Sequence, residues 1–280
     1  MIANIGFMQG RLTDLVNNKI QSFPWMNWKN EFKIANEIDF NLMEWTLDHE
    51  NLTKNPLMTK IGQSQILDLS LKYNVKIKSL TGDCFMQTPF WKSSKNVIGL
   101  QNEFLEVANA CSALDISIIV VPLVDNGSIE NIDQESKLIE FCSKNTEFFK
   151  KKNLQIAFET DFEPERVLGL VKNLDHKVFG VNYDIGNSAG LGFNPKYEIK
   201  IYGQRIINVH IKDRKFNGST VPLGLGSANF QSVFKNLNYI NYKGNFILQA
   251  ARSKSNEHKK ILEKYKSQVL LWMNGDENVI

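Results

Sequence analysis

Three side chains of the kinds that hold a hard cation recur at regular intervals in the second half of the chain. Glu159 closes the apolar run Ile156-Ala157-Phe158, Asp184 closes Val181-Asn182-Tyr183, and His210 follows Ile207-Asn208-Val209. Gln249 closes a fourth run, Phe246-Ile247-Leu248, and the steps from Glu159 to Gln249 are 25, 26 and 39 residues. Glu44 ends the earlier run Leu42-Met43 in the same way. An ionisable group at the end of an apolar run is expensive to bury unpaired. Converging Glu, Asp and His side chains remove that cost together if a divalent cation sits between them. Taken singly, each has a plainer use as a cap or an ion-pair partner. Recurrence at the same end of successive runs favours one shared site.

The runs belong to a wider alternation. Segments 2–8, 40–45, 75–80, 116–122, 154–159, 179–184, 206–211 and 245–249 read as strands. Amphipathic stretches at 28–38, 65–73, 97–114, 135–151, 164–174, 231–237 and 259–273 read as helices between and after them, apolar at helical spacing. Eight such units in 280 residues match a single (β/α)8 barrel spanning residues 1–280. The competing doubly wound sheet usually has a glycine-rich turn after its first strand. Here that turn reads Met8-Gln9-Gly10-Arg11, and no phosphate-loop sequence occurs elsewhere. In a barrel, residues at the strand ends share one mouth, so the fold itself would gather the candidates.

Composition narrows the partners. Lys plus Arg number 33 against 30 Asp plus Glu, a net charge of +3, and the signs are interspersed. That argues against a nucleic-acid channel. No apolar window is long enough for a membrane helix, and the N-terminal residues lack the features of a secretory signal. Cys84, Cys111 and Cys142 are odd in number, widely spaced and without a CxxC pair, which fits small buried residues in a reducing cytoplasm.

Glu159, Asp184, the His210-Ile211-Lys212-Asp213 stretch and the strand-eight position together resemble the metal site of the sugar phosphate isomerase and epimerase family of xylose-isomerase-like barrels. The resemblance runs from Met8-Gln9-Gly10-Arg11 through Met43-Glu44-Trp45 to Gln249-Ala250-Ala251-Arg252. It implies one divalent ion, Mn2+ or Mg2+ with Zn2+ as a further candidate, held by Glu159, Asp184, His210 and the strand-eight residue. It also implies that two glutamates exchange the substrate's α-proton. Two positions depart from the family pattern. The strand-eight glutamate is Gln249, which offers a carbonyl oxygen but no base. A histidine common three residues after the strand-six aspartate is replaced by Asn187.

The expected activity is therefore metal-dependent isomerisation or epimerisation of a sugar or sugar phosphate through an enediolate, with Glu159 as the base. Glu44, Trp45, Asn187, Lys212, Arg252 and Arg11 are the expected substrate-binding residues, with Trp45 as an apolar wall. Gly224 and Gly226, after strand seven, read either as a phosphate-binding loop or as an ordinary turn. Lys212 and Asp213 also read as an ion pair bracing that loop. A non-catalytic sugar-binding barrel is the alternative from another class, and a homo-oligomer is compatible with either. An endonuclease-IV-like repair enzyme is disfavoured, because the histidines it needs after strands three, four and six are missing from Ser79-Leu80-Thr81, Val121-Pro122-Leu123 and Asn187.

Overall fold

In a computed structural model, residues 4–16, 19–253 and 256–275 are described. Eight parallel strands close a barrel: β1 (Asn4–Met8), β2 (Leu42–Thr46), β3 (Lys76–Thr81), β4 (Ile118–Leu123), β5 (Gln155–Thr160), β6 (Phe179–Asp184), β7 (Ile206–Ile211) and β8 (Asn245–Leu248). The ring shuts where β1 pairs with β8, from Asn4↔Asn245 to Phe7↔Leu248. The first residues of the expected 2–8 strand, up to Ala3, lie outside the described residues.

The helices are α1 (Trp28–Glu37), α2 (Lys60–Tyr73), α3 (Asp83–Gln87), α4 (Val97–Ala113), α5 (Ile132–Lys151), α6 (Pro164–Lys172), α7 (Ile185–Leu191), α8 (Pro195–Tyr202), α9 (Phe230–Tyr239) and α10 (His258–Met273). Local chemistry marks their ends. Thr59 and Asn131 accept the capping bonds that start α2 and α5, and α6 opens on Pro164, whose missing N–H is no loss there. The short helices α3, α7 and α8 were not expected, because helices of five to eight residues show no usable periodicity. A two-stranded hairpin, Asp213–Arg214 with Thr220–Val221, also rises from the loop after β7. No helix among the described residues is long and apolar enough to cross a membrane.

Strand alternation sorts the core. On β2, Leu42 joins Met8 and Ile247 in a small apolar cluster, whereas Met43 and Trp45 join the main core. Glu44 falls on the same side as Leu42. The expectation of Trp45 as a substrate wall is therefore corrected. Its ring is fully buried, 5.3 Å from Phe23 and 5.7 Å from Trp28 between ring centroids, and its indole N–H reaches Asn55 Oδ1 at 3.2 Å. Adjacent residues on a strand point to opposite faces, so a lumenal Glu44 excludes a lumenal Trp45.

Candidate active site

At the C-terminal ends of β5, β6 and β7, Glu159, Asp184 and His210 come together. One ligand atom from each lies within 4.8 Å of the others, and all three residues are buried. Asp184 caps α7: its Oδ1 accepts the Asn187 N–H at 2.8 Å, which leaves Oδ2 turned to the site. Glu159 is held on both oxygens, Oε1 by Asn187 Nδ2 and Oε2 by Asn182 Nδ2, each at 2.8 Å.

Beneath this cluster the lumen is polar. Glu44 accepts from Ser79 Oγ at 2.6 Å, Thr81 Oγ1 at 2.7 Å and Asn208 Nδ2 at 3.0 Å. Its Oε1 also lies 2.7 Å from His210 Nε2. A carboxylate there assigns the Nε2 proton and leaves Nδ1 to face the site. Asn208 also donates to Asn182 Oδ1 at 2.9 Å, linking Glu44 to the holder of Glu159. Glu44 is 0% exposed and fully used, so its expected contact with substrate hydroxyls is corrected: it supports the site from below.

The electrostatics follow from this packing. Burial alone would lower the His210 pKa, but Glu44 and Glu159 overcome it and carry the ring up to about 10. Burial pushes Glu159 upward, yet His210, Lys212 and Asn182 bring it below the ordinary carboxylate value. For Asp184 burial wins and the pKa is raised, although Lys212 opposes it.

Two buried atoms test whether a cation fits. His210 Nδ1 and Asp184 Oδ2 have no hydrogen-bond partner. They stand 3.0 Å from Glu159 Oε2 and 2.7 Å from Lys212 Nζ respectively, close enough for charge pairing but out of hydrogen-bond alignment. One imidazole nitrogen and two carboxylates, with ligand atoms within 4.8 Å of one another, form a donor set that suits a divalent ion. The residues fit.

The neighbours complete a cavity of about 390 Å³ lined by Gln21, Asp83, Glu159, Asn187, Lys212 and Gln249 among others. Gln249 Oε1 lies 3.2 Å from Lys212 Nζ, and Gln249 Nε2 donates to Gln21 Oε1 at 2.8 Å. Gln21 passes the chain on to Asp83 Oδ2 at 2.7 Å. Burial raises the Asp83 carboxyl to about 7 despite that bond, with Asp48 and Glu159 adding to the rise. Sequence reasoning missed Asp83, although it stands two residues past the end of β3. It also missed Asn182 and Asn208, which alternation with Asp184 and His210 could have revealed. Gln21 comes from the loop before α1 and left no signal.

Two expectations for the β7 loop are corrected. The N–H groups of Gly224 and Gly226 bind the Asp213 carboxylate at 2.9 and 2.8 Å, and Ala228 N–H adds a third bond at 3.1 Å. The loop has the geometry of an anion cradle, but the chain supplies its own anion. Gly226 is required there, since a Cβ would sit 2.1 Å from Asp213 Oδ1. Lys212 pairs with Asp184 and not with Asp213. Arg11 and Arg252 lie beside the mouth, both donating to the Ile20 carbonyl, at 3.3 and 3.2 Å.

Glu44→Gln tests the support role. It keeps the shape but presents an amide where four donors converge. Loss of such a partner behind a ligating histidine typically weakens metal affinity about 10–100-fold. Calorimetric Mn2+ titration of wild type and variant checks this, and equal affinities would remove Glu44 from the site.

A family model described as xylose isomerase-like TIM barrel matches residues 32–269. SgbU of Escherichia coli (strain K12) is 33% identical over 86 residues, which cover 28% of this chain and only 30% of that protein's length. The L-ribulose-5-phosphate 3-epimerase UlaE of Shigella flexneri serotype 5b (strain 8401) is 20% identical over 232 residues, 79% of this chain and 81% of its own. The crystal structure of D-psicose 3-epimerase with D-tagatose from Clostridium cellulolyticum H10 superposes with a TM-score of 0.72 at 12% identity, covering 99% of each chain.

Proposed function

This chain belongs to the xylose isomerase-like TIM-barrel family, and from that premise we propose that it is a metal-dependent isomerase or epimerase of a sugar or sugar phosphate. The observation that carries the reading is Glu159 buried beside Asp184 and His210, in a cavity that opens at the barrel mouth. Glu159, Asp184 and His210 would hold one divalent cation, Mn2+ or Mg2+ with Zn2+ the further candidate, and Gln249 Oε1, 3.2 Å from Lys212 Nζ, would add a neutral oxygen donor. Such an ion, when bound, polarises a carbonyl as a Lewis acid.

The side chains supply the rest. Glu159 takes the proton from the carbon next to the open-chain carbonyl, leaving an enediolate. Asn182 and Asn187 fix both its oxygens, so the base is already aimed. Lys212, on the same wall, faces substrate oxygens with its ammonium. Returning the proton from Glu159 to the former carbonyl carbon on the same face, while the hydroxyl proton passes from one enediolate oxygen to the other, gives aldose–ketose isomerisation. Inversion needs a second proton carrier, which the amide of Gln249 cannot be. Asp83 is the other buried carboxyl lining the cavity, Asp125 being exposed, and is the candidate for that place. The names of UlaE and of the Clostridium enzyme, both 3-epimerases, support sugar chemistry at this site.

The test is a screen of pentoses, hexoses and their phosphates with Mn2+ in deuterated water, following label at the α-carbon by NMR. Label incorporation that stops on chelation supports the reading. No exchange with any substrate, despite cation binding, would favour the non-catalytic sugar-binding barrel that Gln249 first suggested.

A further inference from the structure

We infer that Arg11 and Arg252 form a receptor for a phosphate monoester, so that the substrate is a phosphorylated sugar whose phosphate lies outside the metal cluster, between the β1 and β8 loops. The sugar attached to that phosphate rests on the proposed function above; the anion site does not.

A second cavity, of about 640 Å³, is lined by Arg11, Gln21, Lys212, Gln249, Arg252 and His258 among others. It shares Gln21, Lys212 and Gln249 with the cavity that holds Glu159, so the two are compartments of one cleft. One compartment is lined by Glu159 and Asp83 together with Lys212 and Arg214, the other by Arg11 and Arg252 together with Asp14.

Arg11 is only 5% exposed, yet its Nε has no hydrogen-bond partner. Among the described residues its terminal nitrogens reach only the Ile20 carbonyl and Gln21 Oε1, both at 3.3 Å. Arg252 donates to the Ile20 carbonyl and, through Nη1, to the Thr13 carbonyl at 2.7 Å. Two guanidiniums therefore converge on one carbonyl oxygen. Among the described residues no carboxylate lies within ion-pair distance of either. Three carboxylates act on them from beyond that distance: Glu31, whose oxygens are engaged by the N–H groups of Gly10 and Leu12, Asp83, which accepts from Gln21, and Asp14, which stands 3.1 Å from His258 Nε2. Burial, and next the charge of Arg252, pull the Arg11 pKa down to about 9, as expected where like charges lack a full counter-ion.

Like charges held together, one buried and one half-buried, are costly unless an anion completes them. A phosphate dianion offers several acceptor oxygens to two planar donor forks, a better match than the single charge of a carboxylate. Barrels commonly bind phosphate in the loops after strands seven and eight. Here Asp213 occupies the N–H groups of the strand-seven loop, which leaves the anion to the arginines past β8 and β1.

The experiment titrates inorganic phosphate, followed by calorimetry, into wild type, Arg252→Ala, Arg11→Lys and Glu159→Gln. The expected result is saturable millimolar or tighter binding to wild type, weakened about tenfold or more in Arg252→Ala by loss of charge-assisted bonds. Arg11→Lys, which keeps the charge but loses the fork, should weaken it less, and Glu159→Gln should leave it unchanged. An unaltered melting temperature for Arg252→Ala ties the loss to the site. Absence of phosphate binding to wild type, equal affinity in Arg252→Ala, or tighter binding of acetate than of phosphate would each overturn the inference. Phosphate binding that depends on the arginines, without turnover of any sugar phosphate, would sink the proposed chemistry and leave the anion site standing. Turnover of free sugars with no phosphate binding would do the reverse.

Discussion

Glu159→Gln is expected to lower kcat by about 10²–10⁴-fold, the range that a placed proton carrier contributes. The amide matches the carboxylate in size but has no basic oxygen. It also meets two amide donors, since Asn182 and Asn187 each give an N–H to one carboxylate oxygen. One donor must then face an NH2 group, which costs on the order of 1–3 kcal/mol of stability. That loss is too small to account for the fall in rate in a protein that stays folded, so urea unfolding beside the kinetics separates the two effects. Deuterium wash-in at the substrate α-carbon should fall in parallel with kcat. A Glu159→Gln enzyme that still exchanges the proton rapidly would move the base elsewhere, with Asp83 the first candidate.

His210→Ala should produce the largest combined effect. His210 stands between Glu44 and Glu159, 2.7 Å from one and 3.0 Å from the other, and is almost completely buried. Removing it leaves two buried carboxylates facing a hole. Breaking a buried pair in this way typically costs about 3–5 kcal/mol. The same change deletes the one nitrogen donor of the cluster, so affinity for Mn2+ should fall on the order of 100-fold or more, at least as far as loss of an outer partner would take it. Denaturant unfolding and Mn2+ titration of the variant measure the two losses separately. If Mn2+ affinity survives in a folded His210→Ala protein, the cation is not held at this cluster. Glu44→Gln should show the same direction at smaller size, because it disturbs the ring without deleting it.

Much of this was legible before any coordinates. The barrel follows from eight apolar runs alternating with amphipathic stretches, and each expected strand lies within two residues or so of its observed bounds among the described residues. The cluster of Glu159, Asp184 and His210 follows too, because a barrel's register brings successive strand ends to one mouth. Trp45 failed for a local reason. A period of two, counted from a lumenal Glu44, sends that indole to the helices. Asp83 was missed because it opens α3, two residues past the end of β3 and outside the apolar run that marks the strand.

By itself, the sequence determined which residues end each strand and therefore which side chains can meet. Hydrophobic periodicity is a local property, and closure of the barrel turns it into a shared site without further information. Only the tertiary structure decided what each polar atom does once there, because hydrogen-bond partners come from residues far apart in the chain. His210 finds Glu44 across 166 residues, and Gln249 finds Gln21 across 228. Gly224 and Gly226 look like a phosphate loop by residue type, but Asp213 fills the loop. Arg11 and Arg252 read from sequence as substrate-binding residues, but only closure of β1 against β8 brings both to the Ile20 carbonyl. Charge and hydrogen bonding depend on distance through space, and that distance exists only after the ring has closed.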